Sequence, residues 1–359
     1  MMSGSVNAGG MSVAVVSLYA RGNYGNCLQR HAVHKLLEQL GCRPVSLDHR
    51  GLSKDYLREW ASELFAPTPL GGMLPICARA RRFLAFDREC KRMKVGIGDL
   101  AGLNGRFGAY VVGSDQVWNP RVWDFVPDYN LLGFVEPSWK RIALSPSVGV
   151  SEIQELDKET FSACLRGYSR LSARETEGAG IIEGLLSRKV EVLPDPTMAF
   201  GASYWEAVAD HSLAPSGPYV VVYGLGKGGA CAEAARSFAQ ERSYEMVELN
   251  NRDNGYYIAG PGDFIGLIFG AQAVFTDSFH ASVFSLLGHV PFKVLSRQGS
   301  GYSMSSRIAT LGRTFSVDPG NLEQEYDWDG IDELRNELSK KITSYLSDEI
   351  SRVLAEVGR

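Results

Sequence analysis

The sequence lacks the signatures of several large classes of protein. Its six cysteines are scattered and none stands in a Cys-x-x-Cys pair, so the sequence predicts reduced thiols and no metal site. The formal net charge of −4 over 359 residues gives no broad positive field, and we therefore expect no nucleic-acid partner. The longest charge-free apolar stretch, residues 264–276, is too short to cross about 30 Å of hydrocarbon.

Composition and length are those of a folded enzyme-sized chain. Residues 1–10 are small and polar, without the basic segment and apolar run of a secretory signal, and the scattered cysteines, as reduced thiols, predict a cytoplasmic protein. A content of 45% hydrophobic and 22% charged residues is typical of globular proteins that bury a sizeable core. A length of 359 residues predicts about two domains.

Short apolar segments alternate along the chain with stretches of helical periodicity. Residues 12–18 are nearly all apolar, a glycine-bearing loop follows, and apolar side chains then recur at helical spacing until Gly41. Further apolar segments lie at 44–47, 109–112, 141–144, 190–193, 219–223, 245–249 and 273–276, and a helix is expected at 230–242. This alternation predicts an α/β fold with parallel, doubly wound, Rossmann-like sheets.

The same pattern suggests where one domain ends and the next begins. Several prolines lie between residues 195 and 218, so we predict a first Rossmann-like domain at 11–200 and a second at 201–330. In residues 331–359, leucines and isoleucines recur in steps of four. They predict one or two amphipathic helices that can pack back across the domains.

Polar residues follow the predicted strands, where ligands collect in open α/β sheets. After the strand at 109–112, Gly113 permits a close backbone approach, Asp115 can accept a proton or a sugar hydroxyl, and Trp118 can stack on a sugar face. The same residues are equally consistent with a turn in which Ser114 or Asp115 caps a helix and Trp118 lies in the core. Pattern alone does not decide between the two.

Two more strand-end residues carry suitable chemistry. His280 follows the segment 273–276, in the first turn of a helix that Asp277 or Ser278 can cap, where it can donate to a phosphate, shuttle a proton or satisfy a buried carbonyl. Arg174 follows a short apolar stretch, and its guanidinium matches a carboxylate or phosphate, although most arginines lie on solvated surfaces.

Weaker signals come from two loops and a basic stretch. The glycine loop 224–229 is either a phosphate cradle or a flexible turn, and the loop 23–26 is either a ligand loop or a helix cap. The stretch 79–94 indicates either contact with an anionic membrane surface or the solvated face of a helix. Its basic residues are Arg79, Arg81, Arg82, Arg88, Lys91, Arg92 and Lys94, interleaved with Phe83, Leu84 and Phe86.

Taken in order, these motifs resemble those of the polysaccharide pyruvyl transferases. The resemblance runs from about residue 12 to 312, nearly the whole chain. The motifs that carry it are Asn23-Tyr24-Gly25, Gly113-Ser114-Asp115-Gln116-Val117-Trp118-Asn119, Ser147-Val148-Gly149, Ser172-Ala173-Arg174-Glu175, Asp195-Pro196-Thr197, Phe264-Ile265-Gly266-Leu267-Ile268, Thr276-Asp277-Ser278-Phe279-His280 and Ser306-Arg307-Ile308. The ordered set is specific, although any one motif could arise by chance.

The resemblance implies an enzyme of cell-surface polysaccharide biosynthesis with a GT-B-like fold, in which two Rossmann-like halves face a cleft. Such an enzyme transfers pyruvate from phosphoenolpyruvate to two sugar hydroxyls as a ketal and needs no cofactor. The implied acceptor is a saccharide that can be lipid-linked, at the inner face of the membrane. The alternatives are a GT-B-type glycosyltransferase with a nucleotide-sugar donor and an inactive relative that only binds.

The resemblance also assigns roles to residues. We expect His280 to handle protons and contact phosphate, Arg174 to hold phosphate or carboxylate, and Asp115 to receive the hydroxyl proton. The expected substrate-binding residues are Asn23, Tyr24, Gly25, Gly113, Ser114, Trp118, Asn119, Ser147, Ser278 and Phe279. The chain departs from the family pattern at Ala281, where glycine is usual, and this methyl group affects how closely phosphate approaches.

Overall fold

The structure, a computed structural model, describes residues 8–19, 22–49, 70–123, 125–226, 229–296 and 305–358. Most of the polar N-terminal segment and Lys227-Gly228 of the glycine loop lie outside the described residues. Within them, no helix is both long enough and apolar enough to span a bilayer.

The first half of the chain forms a five-stranded parallel sheet. Its strands are β1 (Ser12–Val16), β2 (Arg43–Asp48), β3 (Arg92–Lys94), β4 (Ala109–Val112) and β5 (Arg141–Ala143). They lie in the order β3-β2-β1-β4-β5, so the chain crosses to both sides of β1. The paired strands β1 and β4 are almost wholly buried, as their continuous apolar sequences predict.

A two-stranded parallel sheet comes next along the chain. It pairs β6 (Ser172–Ala173) with β7 (Glu191–Val192). The strand predicted at 190–193 is therefore shorter than its apolar run, since only two residues on each side pair. The Ser172 hydroxyl donates to the carbonyl of Ala143 and accepts from the Ser145 amide, which fixes β6 beside the end of β5.

The second half forms a four-stranded parallel sheet. Its strands are β8 (Tyr219–Tyr223), β9 (Glu245–Glu248), β10 (Ala273–Thr276) and β11 (Phe292–Val294), in the order β11-β10-β8-β9. The chain again crosses to both sides of its first strand, β8. The two sheets confirm the predicted α/β class with parallel, doubly wound sheets.

Helices connect these strands. Their bounds are α1 Tyr24–Gln39, α2 Leu70–Asp87, α3 Leu100–Leu103, α4 Pro127–Asn130, α5 Glu155–Leu165, α6 Thr176–Leu186, α7 Ala202–Val208, α8 Ala230–Arg242, α9 Pro261–Phe269, α10 Phe279–Leu287, α11 Ser305–Phe315 and α12 Trp328–Val357. Gly41, with φ +75°, follows the end of α1 in the left-handed conformation that glycine tolerates. The helix predicted at 230–242 agrees with α8.

A single long helix, α12, ends the described chain, where the sequence predicted one or two. Its buried side is lined by Ile331, Ile342, Tyr345, Leu346, Glu349, Ile350 and Val353. Its polar side chains reach the first half of the chain, because Lys341 donates to the carbonyl of Val192 and Arg352 to that of Trp139, at 2.7 and 2.8 Å. The helix therefore packs back on the N-terminal part of the protein.

One continuous core joins the two large sheets. Val15 of β1 and Val221 of β8 belong to the same buried cluster. Tyr24 lies between the sheets, where its ring stacks on Phe264 with a centroid distance of 4.5 Å and its hydroxyl donates to the carbonyl of Ala259. Burial of this much apolar surface opposes sliding of the halves past each other.

Candidate active site

Asp115 is held in place by the turn that ends β4. Gly113 has φ +139°, and a Cβ on it would lie 1.9 Å from the carbonyl oxygen of Leu144, so only glycine fits there. Asp115 itself is in the left-handed region at φ +60°, which aspartate tolerates better than most residues. Its carboxylate accepts from the Asn26 side-chain amide and, at 2.9 Å, from the Gln116 backbone amide.

Arg174, directly after β6, is the centre of the charged cluster. Its Nη1 donates to Asp195 Oδ2 at 2.7 Å and its Nη2 to Asp115 Oδ1 at 3.2 Å. The guanidinium carbon lies 4.6 Å from the centroid of the Phe279 ring. A second guanidinium, that of Arg307 from α11, reaches within 3.8 Å of Asp115 Oδ1.

Asp195 joins Arg174 to the remaining members of the cluster. Its Oδ1 accepts from the backbone amide and the hydroxyl of Thr197, at 3.0 and 2.8 Å. Its Oδ2 accepts from the Ser114 hydroxyl at 3.0 Å and lies 3.4 Å from His280 Nε2. Because the carboxylate is fully buried and fixed at both oxygens, it aligns the guanidinium and imidazole groups on either side.

His280 is held by a helix start and by a glycine. Ser278 is the N-cap of α10, and its hydroxyl accepts from the Ala281 amide at 3.5 Å, so the predicted capping by Ser278 holds and capping by Asp277 does not. A Cβ on Gly25 would lie only 2.1 Å from His280 Nδ1. The imidazole therefore sits against the backbone of α1, in space that exists because residue 25 has no side chain.

The charges of the cluster shift its pKa values. Burial alone would raise the pKa of Asp115, but the charges of Arg174, His280 and Arg307 outweigh it and leave that pKa below the ordinary value. Burial likewise opposes ionisation of Asp195, and His280 with Arg174 lowers the pKa of that carboxyl far below its usual range. Both carboxyls are thus ionised at neutral pH.

A cavity of about 200 Å³ adjoins this cluster. Arg174, Asp195, Arg307 and Phe279 line its charged end, and Lys341 of α12 also borders it. Its apolar walls include Val192, Pro194, Met198, Leu311, Phe315 and Leu338. The three side chains predicted to converge therefore do so, although only Arg174 of the three lines this space, which is large enough for a small organic acid. Asp115 and His280 are connected to it through Arg174 and Asp195.

Two buried nitrogens of the cluster point to a ligand. Within the described part of the chain, Arg174 Nε and His280 Nε2 have no hydrogen-bond partner, although His280 Nε2 lies near Asp195. Buried donors are normally paired, so unpaired ones call for a group that completes them. An anionic substrate with several acceptor oxygens would do so.

Several predicted substrate-binding residues have structural roles instead. Trp118 is fully buried and packs edge-on against Tyr168, so it cannot stack on a sugar and the prediction for it is wrong. Tyr24 is also fully buried and accepts from Arg79 Nη1 at 2.6 Å, which makes it an inter-sheet contact. Asn23 is the N-cap of α1, where its side chain accepts from the Asn26 amide.

Two more predicted substrate-binding residues, Ser147 and Asn119, also have structural roles. The Ser147 hydroxyl donates to Glu175 Oε1 at 3.0 Å, and the fully buried Asn119 lies against the carbonyl of Gly149. Both residues fix the loops behind Asp115 and do not face the cavity. By contrast, Ser114 and Phe279 touch Asp195 and Arg174 directly.

Sequence reasoning assigned no role to three residues that belong to the cluster. Asp195 follows β7, and the strand-end rule that found Asp115 would have found it, but the prolines after it led to its interpretation as part of a linker. Arg307 and Asn26 lie inside helices, so no strand-end signal marks them. Their contacts with Asp115 appear only in the fold.

The glycine loop between β8 and α8 is filled by a carboxylate of the chain. Its glycines at 224, 226 and 229 have the Gly-x-Gly-x-x-Gly spacing of dinucleotide-binding loops. The amides that would face a phosphate, those of Leu225 and Gly226, instead donate to Asp277 at 2.7 Å each. The cavity of about 190 Å³ at this loop is bordered by Asp277 and Glu248, whose charges repel phosphate.

The basic stretch on α2 is divided between interior and surface. Arg79 is buried and donates to the carbonyls of Leu249 and Tyr257, and Arg82 pairs with Asp263 at 2.6 Å. Phe83 is buried as well. The prediction that the whole stretch faces one surface is therefore wrong for these three residues, which hold α2 against the second half of the chain.

Two parallel Rossmann-like sheets with a charged cluster near strand ends define an α/β protein built from two Rossmann-like halves. The chain matches the family model for polysaccharide pyruvyl transferase over residues 23–299, and it belongs to that family. No curated protein matches it.

The solved structures with a similar fold belong to proteins named for other activities. A UDP-GlcNAc 2-epimerase from Methanocaldococcus jannaschii is 12% identical, with 90% of this chain and 91% of that one covered, at a TM-score of 0.46. A putative UDP-N-acetylglucosamine 2-epimerase from Listeria monocytogenes is 9% identical over 97% and 96%, at 0.45. The wall teichoic acid polymerase TagF is 10% identical over 97% and 89%, at 0.47. Identities this low carry nothing about substrate or reaction.

Proposed function

We propose that this protein transfers a pyruvyl group from phosphoenolpyruvate to two hydroxyls of a saccharide, forming a ketal. The observation that carries the proposal is the convergence of Asp115, Arg174 and His280 in one charged cluster, of which Arg174 lines a cavity of about 200 Å³ together with Asp195 and Arg307. Family membership supports a transferase acting on polysaccharide, and the donor and the ketal product are our inference.

The cluster suits a substrate with two anionic ends. The guanidinium groups of Arg174 and Arg307 both line the cavity, where they can meet the carboxylate and the phosphate of phosphoenolpyruvate. The unpaired Arg174 Nε and the second guanidinium can each take an oxygen of the carboxylate or phosphate. Displacing the Asp115–Arg174 contact would accompany binding.

We assign to His280, whose Nε2 lies 3.4 Å from the cavity-lining Asp195, the delivery of the proton that the reaction requires. Protonation of the methylene carbon of phosphoenolpyruvate forms the methyl group and leaves an oxocarbenium centre, which one sugar hydroxyl attacks. Phosphate then departs with its bonding electrons, and the second hydroxyl closes the ring at the same carbon. Of the two hydroxyl protons, one returns the imidazole to its starting state and the other leaves on the phosphate, so the products are the ketal and hydrogen phosphate.

Before the reaction begins, Asp115 is better suited to accept a hydrogen bond from the sugar hydroxyl than to take up the hydroxyl proton. The surrounding cations lower its pKa, so the free carboxylate is a weak base that accepts a hydrogen bond readily. When substrate oxygens bind Arg174, its positive charge stabilises the Asp115 carboxylate less. The pKa of Asp115 then rises, and the carboxylate becomes a stronger base. Asp115 can then take up the proton as the new C–O bond forms.

The glycine loop argues against a nucleotide-sugar donor. In a Rossmann-like half, a diphosphate binds at the amides of such a loop, and here Asp277 already occupies the amides of Leu225 and Gly226. Binding a diphosphate there would require that carboxylate to move and would place like charges together. We therefore retain the pyruvyl transfer and set the glycosyltransferase aside.

Phosphate release tests the proposal. The wild-type protein should release inorganic phosphate from phosphoenolpyruvate only with an acceptor, found in a panel of free, lipid-linked and nucleotide-linked saccharides. His280→Ala should lower the rate about a hundredfold, since it removes the proton donor. His289→Ala, at a half-exposed histidine beside Asp332, is the matched control and should react normally.

Binding of the donor, measured by the melting temperature, gives a second test of the proposal. Phosphoenolpyruvate should raise the melting temperature of the wild-type protein, whereas a nucleotide-sugar should not. A His280→Ala rate within about threefold of wild type would refute the assignment of His280. Protection by nucleotide-sugars alone would refute the donor.

A further inference from the structure

Helix α2 carries a narrow exposed stripe in which apolar and basic residues alternate. Leu74, Cys77, Arg81, Leu84 and Arg88 are all exposed. At 3.6 residues per turn, these five positions fall within an arc of about 80°. The helix thus presents one continuous line of side chains to the outside.

The opposite side of α2 is tightly held by the protein. Ile76 and Phe83 are buried, and Arg79 donates to backbone carbonyls of the second half of the chain. Arg82 pairs with Asp263. Because the inward side is fully used, the stripe is a second face of a firmly seated helix.

Exposed apolar side chains are concentrated in this region. Among the described residues, six large hydrophobic side chains are exposed, and three of them, Leu74 at 73%, Leu84 at 51% and Ile97 at 62%, lie within residues 74–97. Single exposed leucines are ordinary, but Leu74 and Leu84 lie on one face of α2 in line with Arg81 and Arg88, and such a mixed exposed face is typical of an interaction surface.

The charge of the same region is positive. Beyond Arg81 and Arg88, the residues Lys91, Arg92 and Lys94 are exposed on the edge strand β3 and the turn before it. Three acids lie nearby: Asp87 pairs with the buried Arg30 as well as Arg92, Asp99 accepts from the Gly96 amide, and the exposed Glu89 lies 3.4 Å from His31 Nδ1. The five exposed cations Arg81, Arg88, Lys91, Arg92 and Lys94 outnumber them. The surface therefore offers cations next to apolar side chains.

We propose that this stripe docks the protein on an anionic lipid surface. Lysine and arginine meet the lipid phosphates, and Leu74 and Leu84 enter the boundary between headgroups and acyl chains. The inference goes beyond the proposed transfer reaction and does not depend on it. A protein partner would not require basic and apolar residues to alternate along one exposed line.

Vesicle binding tests the inference without substrate. The full-length protein should sediment with phosphatidylglycerol-containing vesicles and not with pure phosphatidylcholine vesicles, and added salt should release it. Arg81→Gln combined with Arg88→Gln should weaken partitioning roughly thirtyfold, and Leu84→Ser roughly tenfold. All of these positions are exposed, so the variants should fold.

Matched control variants test whether binding depends on the stripe itself or only on the total surface charge and hydrophobicity. Arg166→Gln with Arg236→Gln removes two exposed arginines elsewhere, and Leu156→Ser removes a leucine that is 91% exposed on α5. Both should bind vesicles as wild type does. Equal binding to neutral vesicles, no binding at all, or unchanged binding of the stripe variants would overturn the inference. So would a wild-type dimer that Leu84→Ser converts to a monomer, since a second copy would then cover the stripe.

Discussion

The His280 imidazole fills the space that a side chain at Gly25 would need, because a Cβ at position 25 would lie 2.1 Å from the imidazole Nδ1. Backbone atoms of α1 on one side and Asp195 on the other thus define where the ring lies. The glycine of the Asn23-Tyr24-Gly25 motif is therefore explained by the histidine it faces, and not by a direct contact with substrate.

Replacing Gly25 should disable the site while the fold survives. In Gly25→Ala the imidazole must move by more than an ångström, and misplacement of that size costs on the order of a hundredfold in rate. We expect acceptor-dependent phosphate release to fall by that factor, while overpacking beside the buried imidazole lowers the free energy of unfolding by about 1–3 kcal/mol, which leaves the protein folded.

Gly180→Ala is the control for this variant. It is another glycine in a helix, α6, with nothing within 4 Å of an added Cβ, and it should keep full activity. Normal turnover by Gly25→Ala would mean that the position of His280 is unimportant for the reaction.

Some of the fold could be predicted from the sequence because burial leaves a local signal. The strands β4, β8 and β10 match their predicted bounds, since each is a continuous apolar run buried on both faces. The strand-end rule also selected Asp115, Arg174 and His280, which the fold brings into one cluster. Parallel strands bring their carboxyl ends to one edge, so residues distant in the chain meet there.

Other features depend on contacts that no local pattern encodes. Trp118 after a strand suits both a sugar platform and a core, and only the packing against Tyr168 decides for the core. Asp195 was interpreted as a linker residue because prolines flank it. The division of the basic stretch, with Arg79 inward and Arg81 outward, follows from which side of α2 meets the second sheet.

Asp195→Asn should cost stability as well as activity. The substitution removes the charge between Arg174 and His280 and should lower the free energy of unfolding by about 3 kcal/mol at neutral pH, as expected for breaking a buried pair. Asp348→Asn, at an exposed partner of Arg170, should change it by less than about 0.5 kcal/mol. Urea unfolding measures both.

The effect of Asp195→Asn should depend on pH with a definite sign. Because the folded pKa of Asp195 lies below the ordinary 3.8, the unfolded chain takes up the proton first as pH falls. The stabilisation is complete above about pH 3.8 and is lost below it, so the gap between variant and wild type should narrow in acid. A gap independent of pH would show that the charge of Asp195 contributes nothing.

Two buried histidines on α1 should make the protein sensitive to mild acid. Burial, followed by nearby Lys35 and Arg30, lowers the pKa of His31 from 6.5 to about 4. Burial likewise lowers the pKa of His34 to about 3. Below pH 6.5 these histidines are protonated in the unfolded chain but stay neutral in the folded chain. The free energy of unfolding therefore falls as pH decreases, by up to about 1.4 kcal/mol per pH unit for each histidine.

His34→Gln checks this dependence. Glutamine has no titrating group, so the variant should lose roughly half of the decline in the free energy of unfolding between pH 6.5 and about 4. The exposed His211→Gln should retain the wild-type slope. Identical slopes for His34→Gln and wild type would assign the acid sensitivity to other groups.

Asp277 should prove to be a structural substitute for a ligand phosphate. Its carboxylate accepts from the amides of Leu225 and Gly226, so Asp277→Ala leaves two loop amides without their acceptor and should lower the free energy of unfolding by about 2 kcal/mol. In the wild-type protein, a nucleoside diphosphate should not raise the melting temperature. In Asp277→Ala the two freed amides can donate to phosphate oxygens, and inorganic pyrophosphate should restore part of the lost stability. Strong protection of the wild-type protein by a nucleoside diphosphate would show instead that Asp277 yields its place to a ligand, and the glycine loop would then be a nucleotide site.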